Sequence, residues 1–102
     1  MFTGNEDHSI SLNDAAALTE NYRETSQGGS LGGYFGGSAL TSILQQENCV
    51  GIRIYYGRTE NHEPRFVLVG VNSDGDDLYE GELAESSIDC PPNCSKSNPL
   101  NS

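Results

Sequence analysis

The sequence predicts an α+β fold, in which two short N-terminal helices pack on a small antiparallel sheet centred on a hairpin. Three observations support it: two N-terminal segments with helical spacing of apolar residues, two strand-like runs in mid-chain, and a short polar loop between those runs. A chain of 102 residues has the size of one domain. We expect a compact part at about residues 10–88, a polar arm at residues 1–9 and a tail with proline and cysteine at residues 89–102.

The first helix is expected at residues 12–25. Ser11 can act as its N-cap, and Asp14 stands three residues on, as in a capping box. One apolar stripe follows at helical spacing: Leu12, Ala15, Leu18 and Tyr22. The helix is expected to end at Gln27-Gly28-Gly29.

A glycine-rich segment, residues 28–37, separates the two helices. A phosphate-binding loop follows a strand, whereas this segment follows a helix, so we interpret it as a flexible or tightly turning connection. Ser38 can cap the second helix, and Asn48 suits its C-terminal stop. The apolar face of this helix consists of Leu40, Ile43 and Leu44.

The central hairpin is expected at residues 49–71. Side chains of a strand alternate between its faces. The predicted inner face of the first run consists of Val50, Ile52, Ile54 and Tyr56. The second run, residues 66–71, is apolar on both faces, so it needs cover on both sides or a central place in the sheet. Pro64 cannot donate to a ladder and suits the start of that strand.

The C-terminal third is acidic and then polar. Residues 72–77 have the composition of a turn, and residues 78–84 predict a weaker third strand. Seven acidic residues and no basic one occur in residues 74–89, but they lack the spacing of a calcium-binding loop. The tail, residues 90–102, has no periodicity. We expect it to form a surface strap or stay mobile. We also expect Cys90 and Cys94 to be dispensable for the fold, because they lie beyond the last apolar element.

The charge of the chain excludes some classes of partner. The formal net charge is −10, from 15 acidic and 5 basic residues, so nucleic acids and anionic membranes are disfavoured as partners. No apolar run approaches the length needed to cross a bilayer. The N-terminus lacks the features of a signal peptide, and three cysteines fit a reducing compartment. We therefore expect a cytoplasmic protein.

Two cysteines near the C-terminus, Cys90 and Cys94, are separated by Pro-Pro-Asn. This spacing departs from the C-x-x-C redox motif. Three alternatives stay open: unpaired or structural thiols, a local disulfide, or a metal site. In the last case Cys49 could supply a third ligand, and His62 or His8 a fourth.

Catalysis is disfavoured by the sequence. The only histidines, His8 and His62, occur in polar stretches, and Ser38 lacks the strand-to-helix context of a nucleophile elbow. We predict no catalytic residues and no cofactor.

The candidate interaction residues belong to the hairpin: Arg53, Tyr55, Arg65 and Val69. Arginine and tyrosine are enriched in interface hot spots, although a solvated sheet face with extended arginines is a simpler interpretation. If two short helices cover only one face of the sheet, the other face needs the tail or a second molecule. We therefore predict a two-fold dimer.

Four segments resemble a group of small uncharacterised bacterial proteins: YFGGSAL, CVGIRIYYG, FVLVGVNSDGDD and CPPNC. The similarity covers about residues 12–94, and IRIYYG and CPPNC carry most of it. The resemblance implies a compact bacterial domain and no particular activity.

The sequence therefore predicts a small acidic interaction or accessory module that acts through a protein partner or by self-association. One alternative is a thiol-redox or metal-binding protein that uses Cys90, Cys94 and possibly Cys49. A second alternative, from charge alone, is an acidic inhibitor that occupies the basic site of a nucleic-acid-binding enzyme.

Overall fold

The computed structural model describes residues 1–26, 29–86 and 88–102, and it confirms the α+β class. Its elements in chain order are α1 (Leu12–Thr25), β1 (Gly32–Tyr34), α2 (Gly37–Leu44), β2 (Gly51–Arg58), β3 (Pro64–Val71), β4 (Leu83–Glu85) and β5 (Ile88–Cys90). The strands form a three-stranded sheet, β2-β3-β4, and a two-stranded one, β1-β5, and all pairs are antiparallel.

Helix α1 has the predicted bounds and cap, but it lies at the periphery. The Ser11 hydroxyl accepts a hydrogen bond from the Asp14 N–H at 3.1 Å. Of the predicted stop, Gln27 and Gly28 lie outside the described residues. No residue of α1 is buried, and Arg23 Nη1 donates to the carbonyl of Leu100 at 3.0 Å. The stripe that predicted packing on the sheet is therefore largely exposed.

Helix α2 is the helix that packs on the three-stranded sheet. Its Ile43 side chain is buried, and a Cβ atom added to Gly70 of β3 would lie 3.4 Å from Ile43 Cγ2. The prediction that Ser38 caps this helix is wrong, because Gly36 is the N-cap and no side chain bonds there. Asn48 lies beyond the helix end, in the left-handed region at φ 69°.

The hairpin has the predicted strands and puts β3 in the centre. Strands β2 and β3 pair from Gly51↔Val71 to Arg58↔Pro64, so the second strand starts at the proline. Strand β4 pairs with the other side of β3 and includes Leu83 and Ala84 of the predicted third strand. Strand β3 is therefore paired along both edges. It has the central place in the sheet that its two apolar faces predicted.

The predicted inner face of β2 is wrong beyond Ile52. Ile54 is 58% exposed and Tyr56 is 90% exposed. The reason is the place of β2 at the edge of the sheet: Leu68 of the central strand, directly opposite Ile54 on the same face, is 3% exposed, so the cover on this face lies over β3 and does not extend to β2. The helix covers the end of the sheet next to Gly70 and leaves the hairpin's far end open.

The two terminal segments both contact the folded part. In the arm, the Phe2 N–H donates to the carbonyl of Ser73 at 2.8 Å. The start of the tail belongs to β5, which pairs with β1 in the register Gly32↔Cys90. Cys90 therefore lies within the last strand, and not beyond the last apolar element as expected.

Candidate interaction surface

One face of the three-stranded sheet is closed by a polar bridge. The register places Arg53 opposite Val69, and Asp77 forms a β-bridge with Val71, so these side chains share a face. Arg53 Nη1 lies 2.5 Å from Asp77 Oδ1, and the Tyr55 hydroxyl donates to Asp77 Oδ2 at 2.5 Å. Val69 and Val71 are each 3% exposed. We call Arg53, Tyr55 and Asp77 the cross-sheet bridge.

The bridge changes the acidity of its own members. The hydrogen bond from Tyr55, and after it the Arg53 guanidinium, lowers the pKa of Asp77 below its usual value. The same bond to the Asp77 carboxylate raises the pKa of the Tyr55 hydroxyl. At neutral pH the bridge is thus an arginine cation, a carboxylate and an uncharged tyrosine. Two of the predicted interaction residues are engaged within the chain.

The other two predicted interaction residues are also engaged. Arg65 Nη1 lies 2.9 Å from Asp89 Oδ2, which connects the hairpin to β5, and Glu63 lies 3.9 Å from its Nη2. Val69 belongs to the core. The structure thus brings Arg53, Tyr55 and Val69 together on one face, where Val69 is not accessible.

The direction of the backbone groups in β3 identifies the free edge of β2. The carbonyl of Phe66 accepts from the Ser86 N–H at 3.0 Å, and that of Gly70 from the Leu78 N–H at 2.8 Å. Both donors lie on the β4 side, so even-numbered residues of β3 point their backbone groups to β4 and odd-numbered ones point to β2. The register then makes the odd-numbered residues of β2 the ladder partners.

The even-numbered residues of β2 therefore point their N–H and C=O groups away from the sheet: Ile52, Ile54, Tyr56 and Arg58. In the described part of the chain no strand pairs with this side of β2. The same residues carry the exposed side chains of Ile54 and Tyr56. An unpaired edge of this length with apolar side chains can pair with another strand. Sequence reasoning named the second face of the sheet or its edge as the place of a contact, but it did not identify these residues because it placed both side chains in the core.

A groove of about 570 Å³ lies beside the far end of the hairpin. One wall consists of hairpin residues, among them Tyr56, Arg58 and Phe66, and the other is formed by Tyr22 of α1 with Leu31 and Gly32. The rings of Tyr56 and Phe66 lie 5.9 Å apart. This volume lies within the range of about 300–1,000 Å³ that is usual for ligand pockets.

The cysteines occupy two separate places. Cys90 and Cys94 form a disulfide with a Cα–Cα distance of 4.7 Å, which selects one of the three alternatives. Cys49 is a free thiol beside α2, and its Sγ lies 3.2 Å from the carbonyl oxygen of Gly51. The residues that the structure describes include no group of three or more His, Cys, Asp or Glu side chains placed to hold a metal. The candidate ligands Cys49, Cys90 and Cys94 are therefore not brought together.

Comparison with known proteins adds no family to these observations: no family model, curated protein or solved structure matches the chain. The resemblance to small bacterial proteins stays a prediction. Among the residues described, no helix combines the length and the apolar character that a bilayer span requires.

Proposed function

We propose that the protein is a small acidic interaction module, and that its first partner is a second copy of itself. The observation that supports this proposal is the open edge of β2, with backbone groups free at alternate residues and with Ile54 and Tyr56 exposed beside them. Addition of a strand at such an edge gives affinity through main-chain hydrogen bonds and specificity through alternate side chains.

The edge of β2 is self-complementary in one antiparallel register. With Ile54 opposite the partner's Ile54, Ile52 faces the partner's Tyr56, so the outward-pointing residues meet as hydrogen-bonded pairs. On the other face Arg53 faces the partner's Tyr55, so no like charges lie directly opposite each other. The product is a continuous six-stranded sheet with a two-fold axis.

Charge opposes this association at long range. Each chain carries a formal net charge of −10, although β2 itself contains two arginines and no acidic residue. The repulsion acts between whole molecules and is screened by salt over a Debye length of about 8 Å at physiological ionic strength. The dimer is therefore expected to become tighter as the salt concentration rises.

The test is the mass of the protein in solution, measured by light scattering across the micromolar range. The wild type is expected to approach twice 11.0 kDa, and Ile54→Lys is expected to stay monomeric because it puts a charge at the centre of the edge. Leu18→Lys is the matched control, since Leu18 of α1 is also apolar and 62% exposed. A mass of 11.0 kDa throughout would contradict the dimer. If both variants weaken the dimer equally, the contact between the two copies does not lie at the edge of β2.

A cytoplasmic location is part of the same proposal. Cytosolic thiols are kept reduced, so the proposal predicts that the Cys90–Cys94 disulfide is reduced to two thiols in the cell. Alkylation before lysis, followed by mass measurement, should then label all three cysteines of the chain.

A second candidate function, thiol–disulfide exchange, is favoured by the Cys90–Cys94 disulfide, in which Cys94 is exposed. The Cys90–Cys94 disulfide would take two electrons and two protons from a dithiol reductant, and the reductant would leave as a disulfide. Equilibration with dithiol buffers tests this function. A potential below about −300 mV would indicate a structural disulfide instead.

A further inference from the structure

The lining of the groove beside the hairpin contains arginine and, in the described structure, no acidic residue. None of the 15 acidic residues lines it in the described structure, whereas two of the five basic residues, Arg58 and Arg65, do. The arginine content of the lining is therefore high for a protein with a formal net charge of −10.

The two arginines differ in their freedom to bind a ligand. Arg65 is paired with Asp89 at 2.9 Å and lies 3.9 Å from Glu63. Arg58 is exposed and forms no ion pair with any residue that the structure describes. The groove therefore presents one uncompensated guanidinium, which can form a bidentate pair with a carboxylate.

The other parts of the groove suit an apolar side chain and a peptide backbone. Tyr56, Phe66 and Leu31 supply apolar surface. At Gly32 there is no side chain, and nothing lies within 4 Å of the point that a Cβ atom would occupy. Within the described ranges strand β1 pairs with β5 along one edge only, which leaves its other edge for an extended segment.

We propose that this groove binds an acidic peptide segment of another protein. An aliphatic or aromatic side chain of the segment lies between Tyr56 and Leu31, and a neighbouring carboxylate pairs with Arg58. A single open arginine in an acidic protein suits one carboxylate rather than a polyanion, because the field of the whole chain repels a dense array of negative charge.

Fluorescence anisotropy tests this inference with two labelled peptides, one that alternates glutamate with leucine and one that alternates lysine with leucine. The wild type is expected to bind the glutamate peptide about tenfold more tightly at an ionic strength of about 0.15 M. Arg58→Gln should abolish this preference, and Arg58→Glu should reverse it. Lys96→Gln is the matched control: it removes one exposed positive charge outside the groove and should leave both affinities unchanged.

Three results would overturn the inference: no binding of either peptide, equal binding of both, or binding of the glutamate peptide that Arg58→Gln does not weaken. Tighter binding of an oligonucleotide would also overturn it, since the ligand would then be a polyanion. The groove shares Tyr56 and Arg58 with the edge of β2, so a second copy at that edge competes with the peptide. Anisotropy is therefore also measured on the monomeric variant Ile54→Lys, and light scattering on the same samples measures self-association, so that either proposal can fail alone.

Discussion

Arg53 and Asp77 form an ion pair across the central strand of the sheet, with Nη1 of Arg53 at 2.5 Å from Oδ1 of Asp77. Arg53 belongs to β2, and Asp77 pairs with Val71 from the opposite side of β3. The second oxygen of Asp77 accepts from the Tyr55 hydroxyl. One carboxylate thus holds two residues of β2, the strand on the far side of β3. The pair explains how a sheet with one packed helix buries both faces of β3.

The first prediction concerns the pH dependence of stability. The pKa of Asp77 is lowered from 3.8, first by the hydrogen bond from Tyr55 and then by Arg53. A carboxylate with a lowered folded-state pKa stabilises the fold above its unfolded-state pKa, and this contribution is lost as the pH falls through the folded-state value. We expect the wild-type melting temperature to fall below about pH 3.8, and Asp77→Asn to have a lower melting temperature at neutral pH but a smaller acid-induced fall.

Glu6→Gln is the control for this experiment. The pKa of Glu6 is also lowered, by hydrogen bonds from the backbone of Thr3 and Gly4, but Glu6 lies in the exposed arm. Its replacement should leave the melting temperature at neutral pH nearly unchanged. Identical pH profiles for the wild type and Asp77→Asn would show that the cross-sheet bridge does not contribute to stability.

The second prediction concerns the contact between α2 and the sheet. A Cβ atom at Gly70 would lie 2.8 Å from Gln46 Nε2, 2.9 Å from Cys49 Sγ and 3.4 Å from Ile43 Cγ2. Gly70→Ala therefore forces these neighbours apart, and we expect a loss of about 1–3 kcal/mol in the free energy of unfolding, as for other overpacked cores. Gly51→Ala is the control, since nothing lies within 4 Å of its Cβ position. Equal denaturant midpoints for both variants would contradict the close approach of α2.

The third prediction compares two residues that lie opposite each other on the same face of the hairpin, Ile54 of β2 and Leu68 of β3. Ile54 is 58% exposed, so the charge of Ile54→Asp stays hydrated, and the expected change in stability is below about 1 kcal/mol. Leu68 is 3% exposed, and Leu68→Asp should abolish folding because an unpaired carboxylate would be buried. Circular dichroism melts at low protein concentration compare the two. If Ile54→Asp unfolds the monomer, the far end of β2 is covered in solution.

Local signals in the sequence were enough to predict the bounds of α1 and the strands of the hairpin. The Ser11 cap and the helical stripe predicted the bounds of α1, and the alternation in β2 with Pro64 predicted the hairpin. The pairing of β1 with β5 could not be predicted in this way. Each of these strands has three residues, and the contact joins segments that lie far apart in the chain, so no periodicity marks either of them.

The candidate site was predicted less well than the fold. The sequence identified Arg53 as an unusual charge on the sheet, but it could not choose its partner among seven acidic residues between positions 74 and 89. It also assumed that the whole apolar face of β2 would be covered. Ile54 is exposed although Leu68 opposite it is buried, and this depends on β2 being an edge strand of the sheet, which single-sequence patterns do not encode.

The last prediction concerns the connection between the tail and the rest of the fold. Cys90 lies in β5 opposite Gly32, and its disulfide to Cys94 closes a short loop, with a sequence separation of 4. On the chain-entropy model, a loop of this length stabilises the fold by about 2 kcal/mol. We expect the double variant Cys90→Ser/Cys94→Ser to lose about this much stability, and the reduced wild type to match it.

Hydrogen exchange should become faster in β1 and β5 while β2 and β3 stay protected, because the two sheets share no strand. Cys49→Ser, which leaves the disulfide intact, should not change exchange in β1 and β5. Unchanged protection of these strands in the double variant would show that their pairing does not depend on the disulfide.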